Sequence, residues 1–72
     1  MKKKSKDPVI TTEKRLIKYW DDVQAKEWYR LSVYVFEDGE LDKDSPYTVA
    51  TGNSDWARRE ARHYNISIRE ED

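Results

Sequence analysis

Residues 28–36 (WYRLSVYVF) decide the fold. Most of these residue types favour strands, and the side chains alternate with the period of two that is typical of a strand. One side of the strand carries Tyr29, Leu31, Val33 and Val35, and the other carries Trp28, Arg30, Ser32, Tyr34 and Phe36. We take the first side as the core face. The second side is semi-aromatic instead of polar, which indicates either a second core layer or a binding surface.

The residues that follow predict a hairpin. Residues 37–45 (EDGELDKDS) form a polar, acidic loop, and Asp38-Gly39 within it is a turn signal. A second strand over residues 47–51 alternates Tyr47, Val49 and Thr51 with smaller side chains. The two strands are therefore expected to pair as an antiparallel hairpin with a long acidic loop.

A helix is predicted over residues 55–64 (DWARREARHY). Asn53 or Ser54 can serve as its N-cap, and Asp55 lies in the first turn, where the helix dipole favours an acid. Its buried stripe is expected to contain Ala57, Ala61 and Tyr64, extended by Trp56. Asn65 fits a left-handed C-cap, and Ile66 and Ile68 alternate in a short last strand.

Residues 12–27 (TEKRLIKYWDDVQAKE) allow two interpretations. Leu16, Tyr19 or Trp20, and Val23 form one stripe of a helix, with Thr11 or Thr12 as N-cap. The alternative is a strand over residues 15–20 followed by a turn at Asp21-Asp22. The helix is favoured, because a strand would place apolar groups on both of its faces.

These elements predict an α+β fold. It consists of a small antiparallel sheet (the hairpin plus a third short strand), one helix packed across the sheet, and an N-terminal helix. Residues 9–72 are expected to form a single domain, preceded by a disordered basic leader over residues 1–8, where Pro8 opposes a regular helix. The last helix should cover the Leu31 side. The Trp28 side is then left for the N-terminal helix or for a partner.

Composition limits the classes of function. The chain has 72 residues, of which 36% are hydrophobic and 40% charged, so one thin core is expected. It has no cysteine, which excludes disulfides, thiolate metal sites and cysteine nucleophiles and favours a cytoplasmic protein. No apolar run reaches the roughly 20 residues that a membrane span needs, and no targeting signal is visible. We therefore expect no membrane association.

Catalysis is not expected. The two glycines, Gly39 and Gly52, are isolated, so no phosphate-binding loop is present. The single histidine, His63, has no partner motif for nucleophilic chemistry. A calcium loop beginning at Asp38 would need Gly and Glu where Lys43 and Val49 stand. We expect no enzyme, no catalytic residue, no metal and no cofactor.

Charge is unevenly distributed although the net charge is only −1. Residues 1–18 and 56–69 are basic, whereas residues 19–55 and 70–72 are acidic. The basic helix offers Arg58, Arg59, Arg62 and His63, and the leader offers a basic arm of Lys2, Lys3, Lys4 and Lys6. These two groups could bind DNA or RNA through phosphates. No known nucleic-acid-binding spacing is present, however, and the basic and acidic blocks can instead neutralise one another within the fold or in a self-associating pair.

A protein partner is the leading hypothesis. The set Trp28, Arg30, Tyr34 and Phe36 has the aromatic and arginine composition of interface hot spots. We expect a non-enzymatic binding or regulatory domain, an adaptor or inhibitor, with small phage and mobile-element proteins as the nearest analogy. Nucleic-acid binding through the helix and the Lys arm is the alternative. A homodimer through the aromatic face is a third outcome.

Overall fold

The computed structural model describes residues 7–71, and more than half of these residues lie in strands. The elements in chain order are β1 (Ile10–Asp21), β2 (Lys26–Glu37), β3 (Glu40–Leu41), β4 (Tyr47–Gly52), α1 (Ser54–Tyr64) and β5 (Ile68–Glu70). They form one mixed five-stranded sheet. β2 lies between β1 and the pair β3 and β4, and β5 forms the edge beside β1.

The centre of the molecule is a long hairpin of β1 and β2. The strands pair antiparallel from Ile10 opposite Glu37 to Asp21 opposite Lys26. Asp21 closes the turn, because its Oδ1 accepts hydrogen bonds from the backbone N–H groups of Val23 and Gln24 at 2.9 and 3.2 Å. Ala25 takes the left-handed conformation at this turn, with φ of 56°. The side chain of Val23 is 95% exposed at the tip.

The predicted N-terminal helix is wrong, because residues 12–21 belong to β1. The objection to a strand was that apolar groups would occupy both faces. Both faces of β1 are in fact used: Leu16 is completely buried on one side and Ile17 is 8% exposed on the other. Pairing with β2 along the whole strand hydrogen-bonds one edge of this segment, and β5 pairs with part of the other edge, which outweighs the weak helical stripe.

The predicted small antiparallel sheet is also wrong. β5 pairs in parallel with β1, with Leu16 opposite Ile68, so the sheet is mixed. The predicted hairpin partner, β4, does pair antiparallel with β2, and a bulge interrupts this pairing beside Leu31. The acidic loop contains an additional short strand, β3, which pairs antiparallel with the end of β2 after a turn at Asp38-Gly39. Both turn residues have positive φ, as a tight hairpin turn requires.

The predicted helix and both of its caps are confirmed. The Asn53 side chain accepts a hydrogen bond from the backbone N–H of Trp56 at 2.9 Å, and Asn65 ends α1 in the left-handed conformation. Ala57 is completely buried against Leu16 and Leu31, with Trp56 and Ala61 packed around them. Tyr64 is 37% exposed, so its predicted place in the buried stripe is wrong. It lies at the helix end, where the ammonium of Lys14 stands over its ring.

Gly52 lets α1 approach the sheet closely. A Cβ at this position would lie 2.6 Å from the ring of Trp56, a distance that no packed carbon tolerates. The Trp56 ring therefore rests directly on the glycine backbone at the end of β4. This contact fixes how the first turn of α1 sits on the sheet.

α1 covers one face of the sheet, and among residues 7–71 no element covers the other. Only α1 lies outside the sheet, and it packs on the side of Leu16 and Leu31. We call the opposite side the uncovered face. Over the same residues, no helix is long and apolar enough to cross a membrane.

Candidate binding face

The uncovered face is built by alternate residues of three strands. The register of β1 and β2 places these side chains on one side, and β5 adds Arg69 beside Ile17. Its central side chains are Glu13, Arg15, Ile17, Tyr19, Lys26, Trp28, Arg30, Ser32, Tyr34, Phe36 and Arg69. Aromatic rings and cations therefore share this face.

Three cations lie over three aromatic rings on this face. The guanidinium of Arg15 is 4.2 Å from the ring centroid of Tyr34, and that of Arg30 is 4.9 Å from that of Tyr19. Both pairs are diagonal neighbours across the hairpin, as the register dictates. Lys26 adds a third pair over the Trp28 ring, at 4.7 Å. Such contacts attract through the ring quadrupole and orient the cation.

Carboxylates neutralise the arginines of this face. Glu13 accepts from the Nε of Arg15 at 2.8 Å and lies 3.8 Å from the Nη2 of Arg69. Glu71 accepts from the Nη2 of Arg30 at 2.8 Å. The hydrogen bond from Arg15 is the main reason that the pKa of Glu13 lies below its ordinary value. The charges on this face are thus mixed and largely paired.

A concavity of about 440 Å³ opens between these charged groups. It is lined by Arg15, Ile17, Arg30, Tyr34, Arg69, Glu70 and Glu71, so cations and carboxylates surround it together. Ile17 is only 8% exposed although no helix lies above it. Long cationic side chains can cover apolar surface with their stems while their charged ends stay in water, and that is the cover available here.

The structure brings together the predicted aromatic set and separates it from the predicted basic set. Trp28, Arg30, Tyr34 and Phe36 all lie on the uncovered face, where they are half-buried. The predicted helix residues Arg58, Arg59, Arg62 and His63 are exposed on α1, on the other side of the sheet. The predicted basic arm of Lys2, Lys3, Lys4 and Lys6 lies outside the described residues.

The basic helix is only weakly organised. Arg58 donates to Asp55 within the same helix at 2.6 Å, and both side chains are mostly exposed. His63 meets the neighbouring Tyr64 ring edge-on, with 4.6 Å between the centroids. The helix thus offers exposed positive charge with little ordering of its side chains.

Sequence reasoning missed half of the uncovered face. Arg15, Ile17 and Tyr19 were read as part of a helix, and Arg69 and Glu71 were assigned no role in a site. The signal that could have found the first three is the alternative strand over residues 15–20, in which Arg15, Ile17 and Tyr19 share one face.

The acidic loop is organised by its own backbone. The Asp42 carboxylate accepts from the N–H of Asp44 at 2.8 Å, and the Ser45 hydroxyl donates to the carbonyl of Asp42 at 2.9 Å. Across residues 7–71 no group of three or more His, Asp or Glu side chains is placed to hold a metal ion. The loop therefore contributes a turn and negative charge.

Comparison of the chain with protein-family models, with curated proteins and with solved structures found no match in any of the three.

Proposed function

We propose that this chain is a non-enzymatic binding domain that recognises a protein partner through the uncovered face. One observation carries the proposal: the long hairpin presents rings and guanidiniums together on a side that α1 leaves bare. Tyr, Trp and Arg are the residue types that dominate binding energy at protein interfaces. Strand pairing fixes the backbone positions of these residues, and the contacts between rings and guanidiniums orient two of the arginines. Little side-chain freedom is therefore lost on binding.

The mixed charge of the face favours a protein over a nucleic acid. Glu13 and Glu71 lie beside the arginines, and their carboxylates would repel a phosphate backbone. A protein surface can instead offer both signs of charge and match them. A binding surface of this kind is sufficient for an adaptor or an inhibitor. Such a protein binds its partner and catalyses no reaction on it.

Nucleic-acid binding is the second candidate, and exposure of Arg58, Arg59 and Arg62 supports it. Arginines on one helix can contact successive phosphates. This candidate uses the opposite side of the molecule. Substitutions on the uncovered face and substitutions on α1 therefore test the two functions independently.

The experiment compares two variants with the wild-type chain. The face variant carries Trp28→Ala and Phe36→Ala, and the helix variant carries Arg58→Ala, Arg59→Ala and Arg62→Ala. Each chain is immobilised and exposed to an extract of the cells that express it, and any captured protein is purified and bound again to all three chains. Duplex DNA, single-stranded DNA and RNA are tested at low and high salt. Circular dichroism verifies that both variants are folded.

The proposal predicts a purified protein that binds the wild-type chain and the helix variant but not the face variant. The helix variant should also keep its melting temperature, because exposed substitutions usually change stability by less than about 0.5 kcal/mol. Salt-sensitive binding of an oligonucleotide that only the helix variant loses would replace the proposal with nucleic-acid binding. Sedimentation as a dimer that only the face variant loses would assign the face to a second copy.

A further inference from the structure

β4 forms one edge of the sheet. Of the strands within residues 7–71, only β2 pairs with β4, so one side of β4 has no strand beside it. The backbone N–H and C=O groups that point away from β2 can therefore pair with a further strand. Tyr47, Val49 and Thr51 are exposed along β4, and aromatic and β-branched residue types such as these favour strand pairing.

This edge carries no charge. Residues 45–54 (SPYTVATGNS) are uncharged at every position, in a chain that is 40% charged. Proteins commonly place charged side chains on exposed edge strands, because these prevent pairing with another chain. The opposite edge of the sheet has such side chains: β5 carries Arg69 and Glu70, and the part of β1 beyond β5 carries Glu13 and Arg15. Of the two edges, the β4 edge alone lacks this protection.

Opposite charges lie at the two ends of β4. β3 pairs with β2 beyond the N-terminal end of β4, so the acidic loop continues the same edge, with Glu40 and Asp44 exposed. At the other end, the first turn of α1 packs on the last residue of β4. Asp55 in that turn is paired with Arg58, and Arg59 is exposed beside them. Within residues 7–71 no ion pair includes Glu40, Asp44 or Arg59, so these charges are available to another molecule.

We infer that β4 pairs antiparallel with β4 of a second copy of this chain, which joins the two sheets into one. In a two-fold dimer each charged residue near the axis would meet its own copy, so an edge that pairs with itself should be uncharged at its centre. The antiparallel arrangement also places the acidic loop of one copy beside the start of α1 of the other. Opposite charges therefore meet at both ends of the pairing.

This inference goes beyond the proposed function and leaves the uncovered face accessible. The two-fold axis between antiparallel strands runs perpendicular to the sheet, so the uncovered faces of both copies lie on the same side. A dimer thus presents two binding faces together, which increases the avidity for a partner with two matching sites. Pro46 precedes the strand and a bulge interrupts its pairing with β2, and both features limit edge pairing. We therefore expect a weak dimer that depends on concentration.

The test measures the dimer by sedimentation equilibrium over concentrations up to about 1 mM, where even a weak complex is populated. Val49→Lys places a charge at the centre of the edge. Val23→Lys is the matched control, because Val23 is 95% exposed at the tip of the β1–β2 hairpin. Asp44→Lys and Arg59→Glu, alone and combined, reverse the charges at the two ends. Circular dichroism verifies that each variant is folded.

The wild-type chain and Val23→Lys should dimerise with the same dissociation constant, and Val49→Lys should raise this constant about tenfold or more, because like charges then meet across the axis. Each single charge reversal should raise it about three- to tenfold, since the symmetric dimer loses an attraction at both ends. The combined reversal should restore it. A mass that stays monomeric up to about 1 mM would overturn the inference. An unchanged dimer in Val49→Lys, or a combined variant weaker than either single one, would also overturn it.

Hydrogen exchange of the wild-type chain tests the same edge without a substitution. The amides of β4 should exchange more slowly at high protein concentration, whereas those of β5 should not change. The face variant with Trp28→Ala and Phe36→Ala should still dimerise. A dimer that the face variant loses and Val49→Lys keeps would overturn the inference. A protein partner that binds the uncovered face of a monomer would leave the proposed function standing while this inference fails.

Discussion

Leu16 and Ile17 are neighbours in β1, and both are buried, but different structures cover them. Leu16 lies beneath α1, against Leu31 and Ala57. Ile17 lies on the uncovered face, where only side chains of that face surround it. A helix covers Leu16, whereas only side chains of the uncovered face, among them long charged ones, cover Ile17. The contrast teaches that burial alone does not mark a core.

Replacing each of these neighbours with alanine should give unequal losses of stability. Leu16→Ala removes a fully packed side chain under a rigid helix and should cost about 2–5 kcal/mol of unfolding free energy. Ile17→Ala should cost less, at the low end of that range and about 2 kcal/mol, because no helix holds the gap open and the long side chains beside it can partly fill it. Urea denaturation followed by circular dichroism measures both. Equal losses would mean that the uncovered face is a second core layer.

Gly52→Ala tests how tightly α1 is packed on the covered face of the sheet. Its new Cβ would meet the Trp56 ring, so α1 must shift or the ring must move. The expected loss is about 1–3 kcal/mol, as for other overpacked sites. Thr51→Ala, at the exposed neighbouring position, should change stability by less than about 0.5 kcal/mol.

A double-mutant cycle identifies the cause of that loss. When Trp56 is already alanine, Gly52→Ala should cost little, because the clashing ring is gone. A loss of the same size in both backgrounds would show that the Trp56 contact does not matter.

The smallest effect concerns the charges of the uncovered face. The Arg15 hydrogen bond lowers the pKa of Glu13 below its ordinary value of 4.5. A carboxyl group with a lowered pKa stabilises the folded state fully above its unfolded pKa, and this contribution disappears as the pH falls through the folded pKa. The loss should therefore occur below about pH 4.5, and Arg15→Gln should remove it. An NMR titration of Glu13 measures this, and a wild-type pKa of 4.5 or higher would contradict the prediction.

Local signals in the sequence were sufficient for β2 and α1. The period-two alternation of residues 28–36 survives in the structure, and Asn53 and Asn65 form the caps of α1 as predicted. These features depend on neighbours within a few positions. The same alternation correctly placed Trp28, Arg30, Tyr34 and Phe36 on one side of a strand.

Local signals failed for β1 and for the rest of the uncovered face. Apolar residues on both sides of β1 hide its period, and Val23 completed an apparent helical stripe although it lies exposed in a turn. The approach of Arg69 to Glu13 and of Glu71 to Arg30 depends on parallel pairing of β5 with β1. No pattern in a single sequence reveals that register, because it arises from contacts between distant segments.

The most direct test of the central claim maps the contact surface by NMR. The chain labelled with ¹⁵N is titrated with the purified partner protein, and loss of signal intensity is followed residue by residue. The account predicts that the first signals to weaken are those of Tyr19, Arg30 and Tyr34 and the Trp28 indole, while Arg59 and Arg62 stay sharp. Weakening that begins on α1 and spares the uncovered face would contradict it.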